Sequence, residues 1–232
     1  MKLFIDLETL PTDEQWIKDE IRQSISPPAN YKKPESIEAW MKANGESAYQ
    51  DAFSKTSFDG SSGRICCIGF AIDNGPAIAF YGDSGCSERE KEIGLIQTFF
   101  DYMNKYCREI IHCGPEVAPV EWIGHNLTGF DLRFLYQRCV ILGINTHGLR
   151  VPVDERHGKG RVFDTMIAWK GFGAKAGGSM ERLCKVLDIP GKGDVSGADV
   201  WPMYQQGRID EIAEYCKGDV ERTRKIYKRL VL

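Results

Sequence analysis

Apolar positions along the chain change their period several times, and each change predicts an element. Leu3, Phe4, Ile5 and Leu7 make a short apolar strand in "LFIDLETLP". Side chains alternate across a strand, so Leu3, Ile5 and Leu7 share one face while Phe4, Asp6 and Glu8 share the other. The next β-branched runs are "RICCIGFAID" (64–73) and "AIAFYG" (77–82), and the intervening "NGP" predicts a hairpin. Helical spacing takes over in "EKEIGLIQTFFDYMNKYC", where Ile93, Ile96, Phe100, Met103 and Cys107 fall on one stripe. "VEWIGHN" predicts a short strand, "FDLRFLYQRCVILG" an amphipathic helix closed by Gly143, and "RVFDTMIAW" a strand giving way to a helix or turn. "SMERLCKVLDIP" predicts a helix opened by a capping Ser179 and stopped before Pro190. The last run, "RIDEIAEYCKGDVERTRKIYKRLVL", is a long helix with Ile212, Cys216, Val220, Thr223, Tyr227 and Leu230 along its buried stripe.

Residues 12–62 interrupt this alternation and read as a helical insertion after the first strand. Thr12 and Gln15 have the spacing of a capping box ahead of "DEQWIKDEIRQS". "SPPANYKKP" breaks that helix, "ESIEAWMKANG" predicts a second one ended by Gly45, and "DGSSG" (59–63) closes the segment as a loop. The order strand, insertion, hairpin, helix, strand, helix, strand, helices implies a mixed sheet with helices on its faces, in the α/β class. At 232 residues the chain fits one domain carrying the insertion at about 12–62.

Composition changes this picture only at a few points. With 42 % apolar and 27 % charged residues the chain is an ordinary globular one. No apolar run reaches the roughly eighteen residues of a membrane span, and no basic-apolar leader precedes the first strand. The eight cysteines include no C-x-x-C pair, which favours free thiols in a reducing cytosol over disulfides or a zinc site. A net charge of −3 neither supports nor excludes nucleic acid, so any polyanion must meet a local basic patch or a bound metal.

The chemistry begins with Asp6 and Glu8. Two carboxylates side by side at the end of an apolar strand repel each other and lose solvation. Either a divalent cation compensates them, or Asp6 caps a turn and Glu8 stands in water. Asp131 sits in the first turn of a helix that follows a strand, where the helix dipole alone would favour it. Tyr215 and Asp219 are four apart on the last helix and project from one side, with Gly218 between them open to a close approach. Taken singly, that pair also reads as a half-buried tyrosine beside an exposed aspartate.

Together, "FIDLETLP", "HNLTGFDLRFL" and "YCKGDV" resemble the three motifs of the four-carboxylate (DEDD) 3′–5′ exonuclease superfamily, in the right order. "FDTM", "GGSMERLCKVLDIPGK", "SGADV" and "YCKGDVERT" further resemble stand-alone relatives of the family-B DNA polymerase proofreading domain. The third motif has Tyr215 four before Asp219, and Glu214 where a histidine-type enzyme would have its histidine, so the resemblance is to the tyrosine subclass. It implies a ribonuclease-H-like fold and two Mg²⁺ or Mn²⁺ ions held by Asp6, Glu8, Asp131 and Asp219. By that resemblance Asp6 bridges both ions, Glu8 and Asp219 complete one site, Asp131 serves the other, and Tyr215 orients the attacking water. It also implies that Leu7, His125, Asn126 and Phe130 meet substrate, although core packing for Leu7 and turn-tying for His125 and Asn126 account for them equally.

The expected substrate is the 3′ end of nucleic acid, single-stranded DNA first, with a polymerase or repair partner supplied in trans and no membrane. An RNA-trimming enzyme with the same site and a non-catalytic nucleic-acid- or partner-binding module on the same fold are the rival readings. Lys159, Arg161, Lys170, Lys175 and Lys192 are candidate phosphate contacts, or simply solvated. Trp201 and Phe172 are candidate stacking residues for which core packing is the simpler expectation. If the acidic cage is uncompensated without metal, Asp219→Asn should relieve repulsion and melt at the same or a higher temperature than wild type.

Overall fold

The structure, a computed structural model, describes every residue except 83, 84, 159, 174–176, 192, 194 and 232. Its centre is a five-stranded sheet in the order β3-β2-β1-β4-β5, formed by β1 (Lys2–Leu10), β2 (Arg64–Ile72), β3 (Ile78–Tyr81), β4 (Glu121–Gly124) and β5 (Val162–Asp164). β1 pairs antiparallel with β2 and parallel with β4, so the sheet is mixed, as the element order implies. The "NGP" segment closes the β2–β3 hairpin, with the Gly75 N–H donating to the Ile72 carbonyl at 2.8 Å. A register shift after Glu8 marks a bulge at the far end of β1, a device that bends a strand and ends its regular pairing.

The alternation expected of β1 holds. Leu3, Ile5 and Leu7 pack on one face with α3 (Glu88–Tyr106) and α4 (Asp131–Leu142). Phe4 lies on the other face against Val220 and Tyr227 of α8 (Ile209–Leu230). Gly69 explains how closely α8 lies on that face. It pairs across the sheet with Asp6, and a Cβ there would come within 2.6 Å of Cys216 Sγ. The close approach expected at Gly218 is therefore made at Gly69; over Gly218 lies the Arg222 guanidinium, 3.0 Å from a would-be Cβ. Short helices α5 (Thr165–Lys170), α6 (Met180–Val186) and α7 (Val200–Gln205) complete the α8 side. Ser179 caps α6 as expected, accepting from the Arg182 N–H, whereas α7 was not legible as a helix.

The segment between β1 and β2 holds α1 (Gln15–Ser24) and α2 (Pro34–Lys55). Two expectations fail here. Thr12 does not cap α1: its hydroxyl accepts from the Glu14 N–H, and its own N–H donates to Thr56 Oγ1 at 2.9 Å. Thr12 thus ties the two ends of the segment together. Gly45 does not end α2, which starts with Pro34 in its first turn and runs on for 22 residues. A mid-helix glycine costs only about 1 kcal/mol. The turns beyond it are held by packing: Tyr49 is buried with Arg22 over its ring at 4.0 Å, and Phe53 meets Trp201 edge-on at 6.0 Å.

One buried and one half-buried ion-pair cluster hold the helices to the sheet. Arg138 on α4 grips Glu92 on α3 with two hydrogen bonds of 2.8 and 2.7 Å, and Glu92 also accepts from the Ile65 N–H. Glu88 joins Arg64, Lys91 and the Tyr204 hydroxyl, linking β2, α3 and α7. Among the described residues the cysteines form no disulfide, and no helix is long and apolar enough to cross a membrane.

Candidate active site

Past Phe4, β1 runs on beyond its pairing with β4, so its edge there needs other acceptors. The Leu7 N–H finds one in Asp131 Oδ1 at 3.1 Å. Asp131 reaches it because the β4–α4 connection turns sharply. Asn126 takes a left-handed φ of 62°, and its carbonyl accepts from the N–H groups of Gly129 and Phe130. Asp164, fully buried, holds the turn: one oxygen accepts from the Asn126, Met166 and Ile167 N–H groups, the other from the Thr128 N–H and hydroxyl. Sequence reasoning passed over Asp164, although an aspartate just before a helix is a recognisable capping signal.

Asp6 and Glu8 point to the α8 side of β1, where Cys216 Sγ lies 3.4 Å from Asp6 Oδ2. Glu8, Asp131 and Asp219 are buried and Asp6 is half-buried. An open cleft of about 570 Å³ is lined by Asp6, Leu7, Glu8, His125, Phe130, Asp131, Tyr215 and Asp219. Of the residues that the resemblance assigns to the site, Asn126 does not line it and belongs to the turn instead. His125 does line it; its Nδ1 is 2.9 Å from Thr165 Oγ1, which also lies 3.1 Å from the Gly124 carbonyl.

Thr9 and Pro11 of the first motif also line the cleft, and the rest of the lining lies outside the three exonuclease motifs. Ser54, Ser57 and Phe58 arrive from the end of the α2 segment, Gly197 and Ala198 from the turn just before α7, and Trp201 and Pro202 from its first turn. Trp201 is half-buried and stacked on Tyr204 rather than fully in the core, and Phe172 is 68 % exposed, so core packing describes neither fully. Arg161 Nη1 donates to the Ala118 carbonyl, and Lys170 is half-buried on α5. Lys159, Lys175 and Lys192 lie outside the described residues.

The electrostatics are those of an excess of negative charge. Burial, then the Asp6 charge, pushes the Asp131 carboxyl well above the usual carboxylate range, against the hydrogen bond from Leu7. Burial and the charges of Asp219, Glu8 and Asp6 push the Tyr215 phenol far up, and a hydrogen bond with Asp219 adds to this, so it keeps its proton. One counter-charge escaped the sequence reading: Arg222 Nε and Nη2 both donate to Asp219 Oδ1, at 2.8 and 2.6 Å. The i, i+3 spacing on a helix was the available signal.

The donors fit hard divalent cations. Ligand atoms of Asp6, Glu8 and Cys216 lie within 4.8 Å of one another. Burial pushes the Cys216 thiol well up, and hard divalent cations take oxygen ligands, so the carboxylate oxygens are the donors that fit.

A mixed sheet with helices on both faces and an acidic cleft at the end of its central strand defines a ribonuclease-H-like α/β protein of the polymerase-exonuclease kind. Residues 64–232 match the family described as predicted 3′–5′ exonuclease related to the exonuclease domain of PolB, and the chain belongs to that family. The matched span holds Asp131, Tyr215 and Asp219; β1 and the segment after it precede it. The fold is similar to that of the family B DNA polymerase from the hyperthermophilic archaeon Pyrobaculum calidifontis, with a TM-score of 0.57 and 14 % identity. That likeness covers 99 % of this chain and 24 % of the polymerase, so the chain spans about a quarter of its length. No curated protein matches the chain.

Proposed function

We propose that the chain removes nucleotides from the 3′ end of nucleic acid, single-stranded DNA in preference, by phosphodiester hydrolysis in the acidic cleft. The observation that carries this is the convergence of Asp6, Glu8, Asp131 and Asp219, from three separate elements, on one open cleft in a chain of an exonuclease family. These four would hold two divalent cations, Mg²⁺ or Mn²⁺. When bound, such ions supply positive charge at the attacked phosphate and lower the pKa of water.

The chain's own residues do the rest. Asp131 fixes the end of β1 through Leu7 and so sets where Asp6 and Glu8 stand. Tyr215, held neutral, serves as a hydrogen-bond donor that orients water rather than as a base. His125, Leu7 and Phe130 form the wall beside the reacting phosphate. A cleft of this size is in the range of a small-ligand site, which suits a nucleotide or two of unpaired strand rather than a duplex. The thiol cysteines support a reducing, cytosolic setting.

The test is incubation of 5′-labelled single-stranded DNA and RNA with Mn²⁺. A ladder shortening from the 3′ end is expected, strongest for DNA, and Asp6→Ala should slow it by several orders of magnitude while keeping the circular dichroism spectrum. Cutting of circular single-stranded DNA would mark an endonuclease, and an active Asp6→Ala protein would refute the assignment of the cleft.

A further inference from the structure

Phe58 is an aromatic ring that the fold leaves in the open. It is 63 % exposed, lines the acidic cleft, and belongs to the segment that precedes the family match. Its backbone is nevertheless held on several sides. The Ser57 carbonyl accepts from Thr9 Oγ1 at 2.7 Å, tying the turn to β1 next to Glu8. Thr56 Oγ1 accepts from the Thr12 N–H at 2.9 Å. Beyond Phe58, the Gly63 N–H donates to the Asp59 carbonyl at 2.7 Å, and the Gly60 carbonyl accepts from the buried Arg138 at 3.2 Å. Gly60 has no room for a side chain: a Cβ would come within 2.9 Å of the Phe134 carbonyl.

An exposed ring on an anchored turn is different from a stray surface hydrophobe. Its position is paid for by the backbone contacts around it, so covering it with a ligand costs little further ordering. The flat surface that fits beside an acidic phosphodiester cleft is a nucleobase, and stacking accepts any base because every base has a π-face. Trp201, by contrast, already packs against Phe53 and Tyr204. Phe172, equally exposed, neighbours His157 and does not line the cleft.

We propose that Phe58 stacks on a base of the substrate strand close to the 3′ end, making the segment between β1 and β2 a strand-recognition wall that reads base planes and not base identity. This rests on the nuclease reading above. Phe58 then sets affinity for base-bearing strands, while the chemistry stays with the carboxylates.

The test is a cycle between the side chain and the base. Binding of a 5′-fluorescent single-stranded oligonucleotide is followed by anisotropy in Ca²⁺, with the 3′ end checked intact, and KM is measured in Mn²⁺. Phe58→Ala should weaken binding and raise KM on the order of ten-fold, and Phe58→Trp should restore both. Removing the base at one of the last three positions should cost the wild type a similar factor and should abolish most of the Phe58→Ala penalty. An undiminished penalty at all three abasic positions, or no penalty on the intact strand, overturns the inference while leaving the nuclease reading standing. A wild type that neither binds nor shortens any strand overturns both.

Discussion

The two carboxylates Asp131 and Asp219 are both buried, yet they stand in opposite electrostatic situations. Asp131 has a backbone N–H for a partner and the Asp6 charge as a neighbour, and its carboxyl is pushed up. Asp219 has the Arg222 guanidinium, whose side chain is only 13 % exposed. The expectation that Asp219→Asn melts at or above wild type therefore gives way to the opposite one, because removing the carboxylate charge leaves a mostly buried cation with only neutral acceptors, the amide oxygen and the Gly191 carbonyl. Removing one partner of a fully buried pair costs about 3–5 kcal/mol; the amide oxygen still accepts from the guanidinium, so the loss here is smaller, and a chain of this size loses roughly 2–4 °C per kcal/mol. Asp219→Asn should thus melt several degrees below wild type in chelator. Asp131→Asn keeps an acceptor for the Leu7 N–H and removes a repelled charge, so it should melt at or above wild type. Because the folded state holds the Asp131 proton more tightly than the unfolded chain, wild-type stability in chelator should fall as pH rises from about 4 through the raised folded value. Asp131→Asn should lack that component. Added Mn²⁺ should stabilise wild type by mass action and both variants less. Thermal melts in chelator and in a Mn²⁺ series check all of this, and an Asp219→Asn protein melting above wild type would contradict it.

At the scale of elements, α7 owes its place to Glu88. Burial alone would raise this carboxyl, but Lys91, the Tyr204 hydroxyl and Arg64 together lower it from 4.5 to about 2. The cluster joins the start of α3 and the start of β2 to α7, and α7 carries Trp201 into the cleft wall. A depressed folded pKa contributes stability that is present above the unfolded value and lost as pH falls towards the folded one. Wild type should therefore exceed Glu88→Gln in stability at neutral pH, and the gap should shrink between about 4.5 and about 2. Melts of both proteins down that range decide it; a gap independent of pH would mean that the carboxylate charge is not what anchors α7. The failure of the sequence to reveal α7 has the same origin. Its six residues carry Pro202 and too few turns for a period, and tertiary contacts, not propensity, make it helical.

For the whole molecule, the decisive distance is that between α8 and the sheet. Gly69 stands across from Asp6, and Cys216, next to Tyr215 and three residues before Asp219, lies directly over it. Gly69→Ala would push α8 off β1 and β2 and move Tyr215 and Asp219 away from Asp6 and Glu8. Overpacking of this kind costs about 1–3 kcal/mol, and misplacing the groups of a site costs rate out of proportion to stability. Gly69→Ala should lose a few degrees of stability and a larger factor of nuclease activity, and adding Cys216→Ala should recover part of both by vacating the space of Sγ. A Gly69→Ala protein with wild-type melting temperature and activity would show that the helix can shift at no cost.

What the sequence determined by itself was local: which stretches are strand or helix, which face of each is apolar, and that Asp6 shares a side of β1 with Glu8 while Tyr215 shares a side of α8 with Asp219. Those follow from periods of two and of about 3.6 residues, which are written into neighbouring positions. The three motifs and their order were legible for the same reason. Only the tertiary structure decided which sides meet. It brought Asp131 to Leu7 across 124 residues and Cys216 to Asp6 across 210. It carried α2 through Gly45 and turned Thr12 from a cap into a clasp, because packing partners far along the chain outweigh a propensity of about 1 kcal/mol. It also built the cleft wall from Phe58 and Trp201, which no motif contains. Such contacts depend on the volume and direction of side chains on separate elements, and no local period records them.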